Sequence, residues 1–295
     1  MHIQSLLLST LGLVSITSAF PSQISNPERL FPRLLLQKLD ANADEDSLRY
    51  QPALDFDKDG CYHTAAIDRD GTVNKGLSVV GDLGKDCREL SRLINSNVYT
   101  RKRCNNGWCA YLYDYYFETD RTGLLFGGHR HDWENAVVFV KNNTIRRVVV
   151  SAHGEYLHKD KPLTQDGHPL IVYHKCGVLT HALRFAKDKD VRKVENHYGK
   201  WVMADLVGWD GFPTPEHRKK LSSYKFGKAN FHLTDERFAS SLKRAAGTYV
   251  DGFDCMKDGG EEYKKKDERG NKDMRKEKQK EKVKDKSKIK VKEKD

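Results

Sequence analysis

A β-rich fold, all-β to α+β, built as a central β-sandwich with a few surface helices, is what the sequence predicts. Three observations carry this. Short runs of β-branched and aromatic residues recur between turn residues. Helical stretches are few and sharply punctuated. From Gln51 to Cys255 the composition is globular over roughly 200 residues, enough for one sizeable core.

Taken in chain order, Glu89 to Ile94 reads as a short helix. Trp108 to Phe117 reads as a strand whose aromatic side chains alternate, with core packing their default role. Asn135 to Val140 and Ile145 to Ala152 form the next two strands, joined by Lys141-Asn142-Asn143-Thr144 as a hairpin turn. Pro169 to His174 is a fourth strand. Thr214-Pro215-Glu216 supplies an N-cap, a first-turn proline and an acidic first turn for a helix to about Ser222. Thr234-Asp235-Glu236 opens another, through Phe238, Leu242 and Ala245 to a stop at Gly247.

The flanks differ from this centre. An apolar stretch from Leu6 to Ile16, followed by Thr17-Ser18-Ala19, reads as a secretory signal over residues 1–19. It is short of the roughly 20 apolar residues that span a bilayer, so the expectation is a secreted, extracellular protein without a transmembrane segment. Residues 20–50 read as a leader, 51–255 as the sandwich domain and 256–295 as a disordered, lysine-rich tail. The net charge of +10 is concentrated in that tail, where 17 basic residues face 11 acidic ones and supply +6. The remaining +4 over the rest of the chain gives no case for a nucleic-acid partner. The tail is expected to adsorb to anionic membranes or cell walls in a salt-sensitive way.

Six cysteines fit an oxidising compartment and structural disulfides, and permit 15 pairings. Cys104 and Cys109, with Gly107 between them, could close a small local loop. Asn142-Asn143-Thr144 is a glycosylation sequon with Asn142 as acceptor.

Gly128-His129-Arg130-His131-Asp132-Trp133-Glu134 is the densest concentration of ligating groups in the chain. Two carboxylates with one or two imidazoles suit a hard divalent cation, calcium or magnesium, and an upstream Asp120 can add an oxygen. On a regular strand Asp132 and Glu134 share one face and His129 and His131 the other. His129 therefore joins the carboxylates only if Gly127-Gly128 keeps the backbone irregular. Two other readings compete. Arg130 can form a solvated ion-pair cluster with Asp132 or Glu134. His129, His131 and Glu134 can instead hold a transition metal in a cupin-like oxidase, with His153, His168, His174 or His181 completing the set. Asp55-Phe56-Asp57-Lys58-Asp59-Gly60 imitates the start of an EF-hand loop, but Ala66 stands at its twelfth position, so it reads as a solvated turn. Trp201, with Trp209, could line a sugar-binding or membrane-facing rim. Serine-hydrolase, P-loop and dinucleotide signatures are absent.

The heptapeptide resembles the hallmark of the necrosis and ethylene-inducing peptide-like proteins. Cys109 to Asp120, Asp205-Leu206-Val207-Gly208-Trp209 and Phe226-Gly227-Lys228-Ala229-Asn230-Phe231 are similar to further family segments, and the likeness covers about Gln51 to Cys255. The resemblance implies a sandwich similar to actinoporin-type cytolysins of sea anemones. It implies a cytolysin, not an enzyme, that binds glycosyl inositol phosphorylceramide head groups of plant plasma membranes by peripheral contact. Carried over by motif, the cation's ligands are Asp120, His129, Asp132 and Glu134, with Asp205 as a fifth, and His131, Arg130 and Trp201 serve ligand binding. The resemblance also implies disulfides Cys61–Cys87 and Cys104–Cys109, and leaves Cys176 and Cys255 for a third. Two departures stand out: Glu118-Thr119-Asp120 replaces the family's Pro-Lys-Asp, and the tail is unusually long. The alternative function is a non-cytolytic, glycan-binding or immune-recognised effector of the same fold.

Overall fold

The computed structural model describes residues 35–121, 127–178 and 180–259. The signal segment, residues 20–34 of the leader and the tail beyond 259 lie outside them. The elements in order are α1 (Glu45–Arg49), β1 (Ala53–Phe56), α2 (Leu90–Ile94), β2 (Asn97–Asn105), β3 (Trp108–Asp120), β4 (His129–Lys141), β5 (Thr144–Ala152), β6 (Glu155–Lys159), β7 (Thr164–Gln165), β8 (His168–Cys176), β9 (Thr180–Phe185), α3 (Asp188–Arg192), β10 (Asp205–Gly208), α4 (Pro215–Ser223) and α5 (Asp235–Ala246).

The strands form two mixed sheets. The larger runs β10-β2-β3-β4-β5-β6, and the smaller gathers β1, β7 and β9 around β8. Pairing is antiparallel except for β1 with β8 and β10 with β2. The long β3 and β4 are buried on both faces, which is why they read as nearly continuous apolar runs. One face of β3 sends Tyr111, Tyr113, Tyr115 and Phe117 between the sheets against Phe56, Ile171 and Tyr173. The other sends Ala110, Leu112 and Tyr116 toward Leu221 of α4, Phe238 and Leu242 of α5, and Phe226 and Phe231 of the connecting segment.

Local chemistry sets the boundaries. Lys141 pairs directly with Thr144, leaving Asn142 (φ 53°) and Asn143 (φ 55°) as a two-residue hairpin turn of the kind whose twist matches its strands. Thr234 accepts from Arg237 N at the start of α5, and Gly247 (φ 53°) ends it. Thr214 caps α4, with Pro215 at its first turn. Residues 35–50, read as leader, pack onto the fold: Leu39 is fully buried and Asn42 bridges to Val207. Among the described residues, no helix is long and apolar enough to cross a membrane.

The disulfides Cys61–Cys87 and Cys104–Cys109 are formed, whereas Cys176 and Cys255 are free thiols, which corrects the expectation of a third bridge. The reason is placement along β3. Cys255 sits by its first residues, where Arg103 donates to Cys255 O and Asn105 Nδ2 donates to Asp254 O at 2.7 Å. Cys176 pairs with Thr180, which bonds Asp120 at the strand's other end. Twelve steps of strand separate the two ends, about 40 Å.

Alkylation of the denatured, unreduced chain is therefore expected to label Cys176 and Cys255 and no other cysteine, read by peptide mass. Labelling of neither would restore the third bridge. Replacing Cys61 and Cys87 together by serine is expected to cost about 3–4 kcal/mol in denaturant unfolding, from the loop those residues close.

Candidate functional site

Asp120 ends β3 and His129 begins β4, and the two are directly paired across the strands. Gly128 takes φ 72°, and a Cβ there would collide with Asp120 O, so only glycine lets the chain return this closely. At His131 the backbone turns to φ 62° in mid-strand. This inversion breaks the alternation. Asp132 and Glu134, opposite Phe117 and Tyr115, face the space between the sheets, and Asp120 and His129 come round to the same side.

The four side chains form one electrostatic group. His129 Nε2 lies 3.8 Å from Asp120 Oδ2. His129 Nδ1 donates to His131 O at 2.6 Å, which leaves the lone pair of the neutral ring on Nε2, toward the carboxylates. Tyr173 donates its hydroxyl to Asp132 Oδ2 at 3.0 Å, and Ser151 Oγ donates to Glu134 Oε2. Burial raises the Asp132 carboxyl to about 6, and the neighbouring charge of Asp120 adds to the effect. Glu134 is pushed well above its ordinary range by burial and then by Asp132. Burial would raise Asp120 as well, but hydrogen bonds from His181 and Thr180 outweigh it and hold that carboxyl below its usual value.

Asp132 and Glu134 thus face Asp120 in a buried space with no lysine or arginine paired to either among the described residues. Like charges so placed need a proton or a cation. An oxygen-rich donor set with one imidazole fits calcium or magnesium. Among the described residues no three His, Cys, Asp or Glu side chains are drawn around one point closely enough to hold an ion as they stand. Binding would require the carboxylates to move inward.

The structure separates the other predicted site residues from this group. His131 faces the opposite side, where its Nδ1 meets the Tyr116 hydroxyl at 2.7 Å and its ring packs on Phe226, so it cannot share a metal with Glu134 as the cupin-like reading required. Arg130 is exposed and donates to Lys75 O at 3.3 Å rather than pairing with Asp132 or Glu134. Asp205 pairs with Lys38 at 2.9 Å, and its place beside Asn97 puts it two strands across from β3 and short of the Asp120 end. Trp201 packs on the small sheet with Ala53, Leu170 and Val172. Asp55 is not part of a solvated turn: it is buried and accepts from Glu195 N, Asn196 N and Asn196 Nδ2, at 2.9 to 3.2 Å.

One residue of the site was named in the sequence only as an unranked candidate. His181, on β9, meets Asp120 Oδ1 with Nδ1 at 2.7 Å and stacks on Tyr173 at 5.2 Å. Tyr173 stacks in turn on Phe117 at 3.8 Å, so β8 and β9 floor the site. No local spacing reveals a partner 61 positions away from Asp120.

The proton and the cation compete for the same carboxylates. Because the folded values of Asp132 and Glu134 are raised, their favourable contribution is complete below pH 4. It is lost as pH rises through about 6 for Asp132, and higher for Glu134. Calcium or magnesium at about a hundredfold excess over its dissociation constant is expected to restore about 2.7 kcal/mol at neutral pH. That is a rise in Tm of about 5–10 °C for a domain of this size. The gain should shrink near pH 4 and vanish in Asp132→Asn. Scanning calorimetry showing equal gains in all three conditions would refute a cation at these residues.

Comparisons with known proteins agree on one assignment. The family profile "Necrosis inducing protein (NPP1)" matches residues 44–245. NLP effector protein 10 of Phytophthora capsici is 30% identical over 207 residues, covering 68% of this chain and 82% of its own. Necrosis-inducing protein NPP1 of Phytophthora nicotianae is 30% identical over 209 residues, 67% of this chain and 81% of its own. Among solved structures, non-toxic HaNLP3 aligns with TM-score 0.61 and 29% identity, over 71% of this chain and 96% of that one. NLPPya in complex with mannosamine aligns with TM-score 0.60 and 28% identity, over 71% and 95%. With its two-sheet fold, its two disulfides and the intact heptapeptide on β4, this chain belongs to the necrosis inducing protein (NPP1) family.

Proposed function

We propose that this protein is a secreted, necrosis-inducing effector that docks on plant plasma-membrane sphingolipids, glycosyl inositol phosphorylceramides, and perturbs the bilayer without catalysing a reaction. Its relatives are named as necrosis-inducing proteins and effectors, and the neighbour NLPPya was solved with glucosamine and with mannosamine. The observation that carries the reading is the convergence of buried Asp120, Asp132 and Glu134 with no balancing lysine or arginine on the last two. A calcium or magnesium ion held there, with His129 Nε2 as the nitrogen ligand, would present open coordination positions to sugar hydroxyls. His181 and Thr180 would keep Asp120 ionised and aimed.

A second reading has a specific observation in its favour. A non-toxic relative, HaNLP3, shares the fold at similar identity, which supports a reading in which this protein binds the glycan without damaging the membrane.

Dye release from vesicles containing these plant sphingolipids separates the two. The cytolytic reading expects leakage with calcium or magnesium present, lost by at least about tenfold in Asp132→Ala, in line with removing one charged ligand. Leakage that persists in chelator or in that variant would sink the site. Head-group binding without leakage would select the non-toxic reading.

A further inference from the structure

Beyond the carboxylate site, the outer face of α4 and the turn after it carry a dense, unpaired positive charge. Between residues 215 and 228 there are five Lys and Arg against the single acid Glu216. Arg218 is committed, to Asp210 Oδ1 at 2.7 Å and to the Trp209 ring. Lys219, Lys220, Lys225 and Lys228 are exposed, and their ammonium groups make no salt bridge or hydrogen bond among the described residues; Lys219 feels only the charge of Glu216 on the same helix. Leu221, buried beneath them, fixes the helix so that this face points outward. The charged face adjoins the β4 end that bears the site. Tyr224, 37% exposed among the lysines, lies 6.1 Å from the His131 ring. The exposed Arg130 beside His131 reaches Lys75 O.

We propose that this face, Lys219, Lys220, Lys225 and Lys228 around Tyr224, is a docking surface for the phosphates of an anionic lipid membrane. The proposal rests on the membrane-directed reading above and adds a second contact to it, one that needs no cation. Charge complementarity selects the occupant class. A helix face with a following turn is convex and offers no groove to a polyanionic strand, and the acidic group on the neighbouring face of β4 would repel a chain of phosphates running past it. A bilayer presents separate phosphates in a plane, and a half-exposed tyrosine suits its half-wet interface. Each lysine near such a surface contributes attraction that falls off within a Debye length, about 8 Å at physiological salt.

The test is sedimentation of the full-length protein with phosphatidylcholine vesicles, with and without phosphatidylserine, in chelator and without glycosylated sphingolipid. The wild type is expected to adsorb only to the anionic vesicles and to release as salt rises. The fourfold variant K219Q/K220Q/K225Q/K228Q should lose adsorption by at least about tenfold, since each lysine is worth several-fold. The tail is the same in both proteins, so the difference reports the helix face. Reversal to glutamate at the same four positions should deepen the loss, with melting curves unchanged because these side chains are exposed. Adsorption of the glutamine variant within twofold of wild type would overturn the proposal. So would tighter, lysine-dependent binding to duplex DNA than to the vesicles. Asp132→Ala should adsorb like wild type here while losing leakage in the sphingolipid assay, so failure of the cation site and failure of this face give different results.

Discussion

Repulsion among carboxylates that the fold brings together out of water is the constraint on which the site depends. In a medium of low polarity two like charges a few ångströms apart interact far more strongly than at a surface. The sandwich places Asp132 and Glu134 where Asp120 adds to their burden. Asp120 has local relief, two side chains and a backbone amide from β9, and stays ionised. The other two have only a tyrosine and a serine hydroxyl. Neutral donors stabilise a carboxylate but do not cancel its charge. A protein core that served stability alone would replace such a group with apolar side chains, and its place at the end of the two longest strands is what supports the proposed cation.

The architecture is suited to holding this repulsion. β3 and β4 run 13 residues each and are covered on both faces, by the small sheet on one side and the two helices on the other. Packing of that density leaves little room for the strands to splay. The inversion at His131 then does two things at once. It leaves the His131 imidazole among Tyr116 and Phe226, on the side opposite Asp132 where it anchors the strand, and it swings His129 onto the acidic side. A left-handed residue in the middle of a strand is costly for any side chain except glycine and, less so, asparagine or histidine. The hydrogen bond between Tyr116 and His131 and the surrounding rings offset part of that cost.

The heptapeptide was legible because its chemistry is local: seven neighbouring residues, a glycine pair and an apolar run. What it could not show is geometry that is not local. His131 was expected among the ligand-binding groups, yet it keeps the side that regular alternation gives it, opposite Asp132, and is buried there, while the inversion moves only His129. Asp205 lies on β10, two strands from β3, and Trp201 packs against the small sheet, placements that their local sequence does not reveal. His181 shows the converse failure, since its partner Asp120 is brought to it only by the packing of one sheet on the other. Helices α4 and α5 and the Asn142-Asn143 turn were readable from caps and turn residues, whereas the five-residue α1 and α3 were not. β2 was missed because Thr100-Arg101-Lys102-Arg103 looks like a solvated stretch. In the structure Arg101 lies over the rings of Trp209 and Phe238, burying its stem while its charge remains paired with Asp235.

In the proposed function, the lysine face and the carboxylate group would divide the work of reaching a membrane by range and by specificity. Lysines on exposed flexible stems act through the diffuse field of a surface, raise the encounter rate and carry little structural information. Buried carboxylates act only at contact, and only once a cation has been fitted between them and a ligand has displaced its water. Had the acidic group been exposed, its negative charge would have opposed the approach of an anionic bilayer; recessed between the sheets, it is shielded until the surface is already near. Attraction at a distance and selectivity at contact can therefore coexist, because the lysines lie on α4 and the turn after it, on the side of β4 that His131 faces, and the carboxylates face the space between the sheets.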